Sequence, residues 1–443
     1  MRVNGRGKGD VMNQRQVRAW VTYDWANSAF ATTMMAAVMP VFYESVAGAG
    51  LAEGAAASYW GYTQTIAMLC VALLSPVLGA IADYRGSKIR FLSVFALVGA
   101  LSCMAAFFVG EGDWLTASLL VILGTIGFSG GNTFYDALLA DLVPERERDV
   151  VSARGYAFGY LGGGLLLALN IAMIEGWSFF GFPDKTTATQ TVFVTVGVWW
   201  LVFSLPLLRA VKDRPANRTV PLLAVIRTGF QRNLATLRRV RQYPELSKYM
   251  LAYWFFNDGI NTIIVMATIY GASIGIGTTH LIIALLITQF VGYPCTLLFG
   301  RMAVRLGSKQ ALYLSLLLYV LIVMLGYFMT TEIHFYALAI MVGLVQGGSQ
   351  AVARSIYANL TPPSRRAEFF GFLSLSSKFS ASAGPFLFGL VGTLTGSVRL
   401  GILAVLAFFV IGILLLILVN LNKGRAEALA GENGNAGGAA ISA

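Results

Sequence analysis

The chain has 443 residues, 57% of them hydrophobic and 12% charged, with 32 Lys and Arg against 21 Asp and Glu for a formal net charge of +11. An ordinary soluble domain carries about 25% charged residues, so this composition excludes a water-soluble globule and points to a chain solvated largely by lipid. Three cysteines, Cys70, Cys103 and Cys295, sit inside apolar runs with no paired spacing, which argues against a disulfide framework or a metal knuckle.

In chain order, a basic leader (1–19) precedes an apolar run that continues to full spanning length, so it does not read as a cleavable signal peptide. Apolar stretches of about 20 residues, the length a helix needs to cross a ~30 Å hydrocarbon layer, recur along the chain. They predict spans at 20–43, 58–81, 89–109, 114–140, 154–175, 189–209, 249–271, 279–300, 310–330, 334–358, 369–393 and 398–420. The fold class read from this pattern is an all-α polytopic membrane protein. An even number of spans places both termini on one side.

Basic residues choose that side. Of the 32 Lys and Arg, 28 fall in or at the mouths of the leader, the even-numbered connections and the tail. Lys185 and Arg399 fall on the opposite side, with Glu44, Glu53, Glu111, Asp113 and both histidines, His280 and His334. Short Lys/Arg-rich loops stay cytoplasmic, so both termini are expected inside a plasma (inner) membrane. The positive charge is thereby an orientation signal and gives no support to nucleic-acid binding. Two remote histidines offer no metal site.

The longest connection, 210–248, separates a first half (20–209) from a second (249–421). Within it Leu223, Ile226, Phe230, Leu234, Leu237 and Val240 recur at helical spacing among Arg227, Arg232, Arg238, Arg239 and Arg241. This pattern predicts an amphipathic helix lying along anionic headgroups. The tail, 422–443, ends "GENGNAGGAAISA" and reads as disordered.

The halves repeat one another. "YDWANS" carries Asp24, Asn27 and Ser28, and "FNDGINT" carries Asp258, Asn261 and Thr262, each 234 residues later (258 − 24). "GAIADYRGSK" (79–88) is echoed by "GRMAVRLGSK" (300–309), and "GGNTFYDALLADLVP" by "GGSQAVARSIYANLTP". Drifting offsets are what loop insertions produce. Two six-helix bundles about an axis normal to the membrane follow, with a cleft between them for a substrate.

"GAIADYRGSK", with its degenerate partner, resembles the loop motif after the second helix of the major facilitator superfamily. "YDWANSAF", "NDGINT", "ARSIYANL" and "AEFFGFLSLSSKFSASAGPFLFG" are similar to the vacuolar effluxer branch, named for a fungal autophagy-related permease that exports amino acids from the vacuole. The resemblance runs from about Trp20 to Leu421 and implies a secondary transporter of twelve helices in the facilitator fold. It also implies that the first, fourth, seventh and tenth helices line a central cavity, and that Asp83 and Arg85 form an interdomain latch.

The residues support transport independently. Asp24, Asp136, Asp258, Arg354 and Lys378 lie inside spans, where each charge costs about 2.5–3.5 kcal/mol near a helix centre and almost always faces a bundle interior or watery cavity. Asp24, Asn27 and Ser28 share a helix face, as do Asp258, Asn261 and Thr262; Gln346, Gln350 and Arg354 form a stripe, and Asn132 faces the same way as Asp136. Asp24, Asn27, Asp258, Asn261, Gln350, Arg354 and Lys378 are therefore the substrate-binding candidates. A zwitterion's carboxylate would go to Lys378 and Arg354, its ammonium to Asp258, Asn261 and Asp24. Asp24 and Asp258 are the candidates for carrying a proton across. Asp136 and Arg354, repeat equivalents (354 − 136 = 218), are expected to pair as a gate.

Gly155, Gly159 and Gly163 read as a packing ladder. "GFSGG" (127–131) formally matches a nucleophile elbow but lies in an apolar span without a preceding strand, and no phosphate-binding loop is present, so neither an enzyme nor an ATP-driven pump is expected. The resulting expectation is a secondary active transporter, without cofactor, that exports an amino acid by alternating access coupled to protons and acts as a monomer. The alternatives are a lysolipid or sugar carrier of the same fold and, more remotely, a non-transporting receptor.

Overall fold

The computed structural model describes residues 13–51, 55–213, 242–380 and 383–440; the side chains of 57–58, 72, 75–85, 268–269, 272–273, 278–279, 374–380, 393 and 431–440 are also outside the described residues. The expected headgroup helix within 210–248 falls mostly on 214–241, outside that description.

Every element described is helical. In the first half run α1 (Gln14–Ala47), α2 (Ala55–Arg85), α3 (Lys88–Phe108), α4 (Trp114–Leu142), α5 (Arg148–Glu175) and α6 (Lys185–Ala210). The second half has α7 (Pro244–Ser273), α8 (Thr278–Leu306), α9 (Ser308–Tyr327) and α10 (Glu332–Leu360). Its eleventh span is made of α11 (Arg366–Ser380) and α12 (Ala383–Thr395), its twelfth is α13 (Val398–Ile417), and α14 (Leu421–Ala440) follows. Among the described residues nine helices are long and apolar enough to cross a membrane by themselves. Helices α2, α7 and the α11–α12 pair fill the second, seventh and eleventh places.

Local chemistry sets the ends. Asn13 begins α1 by accepting hydrogen bonds from the Arg15 and Gln16 backbone N–H groups. Pro40 cannot donate a backbone bond, and α1 loosens to π geometry before it, at Phe30–Val38. The internal repeat is visible at the shortest turns: Gly86 (φ 63°) and Gly307 (φ 94°), 221 residues apart, both take the left-handed backbone that lets one span turn straight into the next.

Outside, the helices present leucine and valine, among them Leu73, Leu119, Val202 and Leu317, to the lipid. Inside, helices approach closely through small residues. A Cβ at Gly155 would lie 2.9 Å from the Trp20 ring and 3.0 Å from Asp24 Oδ2, and one at Gly163 2.9 Å from Thr32. The ladder expected on α5 is thus the seat of α1.

The bundles meet along α5 against α8 and α2 against α11. Gly300 of α8 lies against Ala153 and Asp149, and Gly292 against the Tyr160 ring. Among the described residues, ion pairs and hydrogen bonds crossing between bundles gather at the end carrying the termini. Arg366 Nη1 donates to Asp141 Oδ1 (2.8 Å), which also holds Lys88 (2.8 Å). Arg148 donates to Asn359 (2.6 Å), and Ser308 to Asp149 (2.7 Å).

Over the tail, α14 is helical from Leu421 to Ala440. Specific partners anchor its first turns. Arg425 pairs with Glu145 at 2.6 Å, and Glu427 accepts the Glu245 N–H at 3.2 Å. The first helix also starts six residues ahead of its expected span.

Candidate functional site

Between the bundles lies a cavity of about 470 Å³, within the usual range of small-solute sites. Its floor is polar. Helix α1 contributes Asp24, Asn27 and Ser28, α4 contributes Asn132 and Asp136, and α10 contributes Gln346, Gln350 and Arg354. Its upper wall, toward the end away from the termini, is apolar, with Ile263, Met266, Leu281, Leu285 and Val342. The cavity is shut at the terminus end by the contacts above.

The floor is organised around Arg354. Its guanidinium enters from the second bundle and is enclosed by the first. Nη1 donates to Asp136 Oδ1 at 2.9 Å, Nε to Ser152 Oγ at 2.9 Å, and Nη2 to the Ser152 carbonyl at 3.0 Å. Asp24 Oδ2 stands 3.8 Å from Nη1 and accepts from the Tyr135 hydroxyl at 3.1 Å. Three rings face the cation, with centroids 4.2 Å (Tyr156), 4.9 Å (Trp20) and 5.5 Å (Tyr135) from Cζ. The arginine side chain is only 5% exposed, whereas Asp136 is 28% exposed to the cavity. Two carboxylates therefore share one cation, and the cluster carries a formal charge of −1.

Carboxamides continue the floor. Asn27 donates to Asn132 at 2.5 Å, joining α1 to α4, and Tyr160 donates to Gln350 at 3.4 Å, joining the bundles. Asn261 and Thr262 reach the cavity from α7, and Gln289 from α8. Among the described residues no three His, Cys, Asp or Glu side chains are grouped to hold a metal.

The structure brings Asp24, Asn27, Asn261, Gln350 and Arg354 to one cavity, with Asp136 paired to Arg354. It does not bring Asp258 there. That residue is 1% exposed and lies against the start of α12 at Gly384, whose backbone N–H it faces. Asp258 and Thr262, one turn apart on α7, both lie against the start of α12 at Gly384, and of the two it is Thr262, nearer the open end, that also lines the cavity. Asp258 does not line the cavity, whereas Asn261 and Thr262 of the same helix face do. The side chains of Lys378, Asp83 and Arg85 lie outside the described residues.

Sequence reasoning missed Trp20, Ser152, Tyr156, Tyr160 and Gln289. The signal for the two α5 tyrosines was present: each follows a ladder glycine by one position, on the helix face next to the one packed on α1. Trp25 stacks on Trp199, ring centroids 5.5 Å apart.

The sequence profile of the family described as "Vacuole effluxer Atg22 like" matches residues 12–429. The MFS-type transporter YxiO of Bacillus subtilis (strain 168) is 38% identical over 407 residues, covering 91% of this chain and 95% of that protein. Autophagy-related protein 22-2 of Neosartorya fischeri is 23% identical, covering 84% of this chain and 76% of that protein. Among solved structures the major facilitator proton:xylose symporter XylE superimposes with a TM-score of 0.67 at 15% identity, covering 93% of this chain and 96% of that one, a likeness of fold.

Proposed function

Because this chain belongs to the vacuole effluxer Atg22-like family of major facilitator transporters, we propose that it exports an amino acid by alternating access, coupled to protons, across a plasma (inner) membrane with both termini cytoplasmic. The observation that carries the reading is the two-part cavity between the bundles. Its floor offers carboxylates, carboxamides and one guanidinium, the groups that bind an ammonium and a carboxylate through charge-assisted hydrogen bonds. Its upper wall offers an apolar surface to a side chain. The seal at the terminus end, with none of the described interbundle ion pairs at the other, fits one end state of a rocking cycle.

The chain's basic residues fit a cytoplasmic placement of the sealed end, and the arginines of 210–248 fit anionic headgroups there. The transporting unit is the monomer, since the cavity is complete within one chain. Protons are the coupling ion in this reading, taken up at Asp24 on the cavity floor. A lysolipid carrier is the second reading, favoured by the apolar upper wall alone.

The test is transport by purified protein in sealed liposomes with an imposed pH gradient and labelled amino acids, a sugar and a lysolipid as rival solutes. Saturable movement of an amino acid that follows the pH gradient is expected. Movement of the lysolipid alone would replace the reading. Amino-acid transport indifferent to the gradient would remove the coupling.

A further inference from the structure

We propose that the acidic, aromatic box around Arg354 is a receptor for a guanidinium or primary ammonium group, and that Arg354 is a tethered occupant which a cationic solute replaces when the terminus end opens. The inference rests on the alternating-access reading above, but not on the solute being an amino acid.

The box is complete without Arg354. Trp20 and Asp24 come from α1, Tyr135 and Asp136 from α4, and Ser152 and Tyr156 from α5, all in the first bundle. Trp20 is held independently, stacked on Tyr135 at 4.4 Å and donating its indole N–H to the Tyr135 carbonyl at 2.9 Å. Tyr135 is in turn fixed by donating to Asp24. Aromatic faces beside carboxylates are the recognition chemistry of organic cations, and the bound state is on view: a guanidinium 4.2 Å from one ring centroid and 2.9 Å from a carboxylate oxygen.

Arg354 belongs to the other bundle. Parting the bundles at the terminus end withdraws it, as it must break Ser152 to Ala351 (2.8 Å) and Arg354 to Asp136 together. Two carboxylates in a site ringed by aromatic side chains are then left with no cation, an arrangement strongly disfavoured inside a membrane. A cation entering from the opened end satisfies them, and Arg354 evicts it on return. Empty reorientation is disfavoured for the same reason. The solute class is a small molecule with a guanidinium or primary ammonium pole.

The experiment uses full-length purified protein in micelles and methylguanidinium as probe. In Arg354→Ala the probe is expected to raise the melting temperature by several degrees, with no effect on wild type, whose box is filled, or on Arg354→Ala/Asp136→Asn. Equal stabilisation of all three, or of none, overturns the proposal. Should Arg354→Ala not fold, a cysteine-free protein carrying Ser308→Cys at the sealed end, with Arg354 intact, is labelled by a polar maleimide. Agmatine should raise the labelling rate by roughly tenfold through a shifted population, and uncharged butylurea should not; no difference between the two overturns the proposal. Amino-acid transport without either effect would fail the box alone, while agmatine opening the gate without amino-acid transport would fail the amino-acid reading alone.

Discussion

The two bundles descend through the same topology and the same landmark spacing, yet they furnish the cavity with opposite chemistry. Where the first has Asp136 the second has Arg354, and these two meet at 2.9 Å. Where the first points Asp24 at the solute space, the second buries Asp258 under its own eleventh span. The turns that hold each bundle together stayed alike, as Gly86 and Gly307 show. A repeat can thus conserve its frame while the residues facing the partner bundle diverge into complementary charge. That divergence gives the cavity polarity, acids on one side and a base on the other.

The comparison breaks most visibly at the gate pair. Asp136→Ala leaves the buried Arg354 guanidinium its bonds to Ser152 but, as carboxylate, only the more distant Asp24, 3.8 Å away. Removing one partner of a buried pair costs about 3 kcal/mol or more, so chemical denaturation should report a loss of that size. If the two positions are complementary repeats, Asp136→Arg with Arg354→Asp should recover part of it. A double exchange no better than either single change would show that the surroundings, above all the aromatic rings of the first bundle, have fixed which bundle carries the base.

A smaller effect is expected from the ladder that seats α1. Gly155→Leu forces a side chain against Trp20 and the Asp24 carboxylate, and overpacking of this kind costs about 1–3 kcal/mol. In the second bundle a Cβ at Gly392, on α12, would make only ordinary contacts at 3.9 Å. Gly392→Ala should not lower the melting temperature of the purified protein, and a comparable fall in both variants would mean that the bundles do not differ in this way.

The acids sharpen the contrast further. Asp24→Asn should weaken binding of a cationic cavity ligand by about tenfold, near 1.4 kcal/mol, while Asp258→Asn should leave its dissociation constant within about twofold because the residue is off the cavity wall. Isothermal titration on both variants decides it. Equal losses would return Asp258 to the site.

How much of this was legible in the sequence follows from which physics each feature obeys. The spans, their grouping and the Asp136–Arg354 partnership follow from local hydropathy and repeat spacing, both written in the order of residues. The burial of Asp258 could not be read there, because helical spacing fixes which residues share a face but not what that face meets; Gly384, 126 residues on (384 − 258), is what it meets. Tyr156 and Trp20 escaped because an aromatic residue in a membrane helix looks the same whether it packs or cages a cation. The anchoring of the start of α14 could not be read from composition, because its partners, Glu145 and Glu245, are remote in sequence.

The smallest expected difference lies at the outer ends of equivalent helices. Asp184 caps α6, accepting from the Thr187 backbone N–H at 2.7 Å and its hydroxyl at 3.0 Å, while Ser397, before α13, makes no such bond. The N–H and hydroxyl of Thr187 hold the Asp184 carboxyl below the usual carboxylate range. A folded pKa that is depressed contributes its stabilisation above the ordinary value, about 3.9, and loses it as pH falls through the lower folded value. Protection of the Thr187 amide from hydrogen exchange should therefore decline as pH drops below about 4, and amides at the start of α13 should show no matching step. Asp184→Asn can still accept from Thr187 but cannot titrate, so the step should vanish while protection at neutral pH is kept. A step that survives in Asp184→Asn would assign the titration to another group.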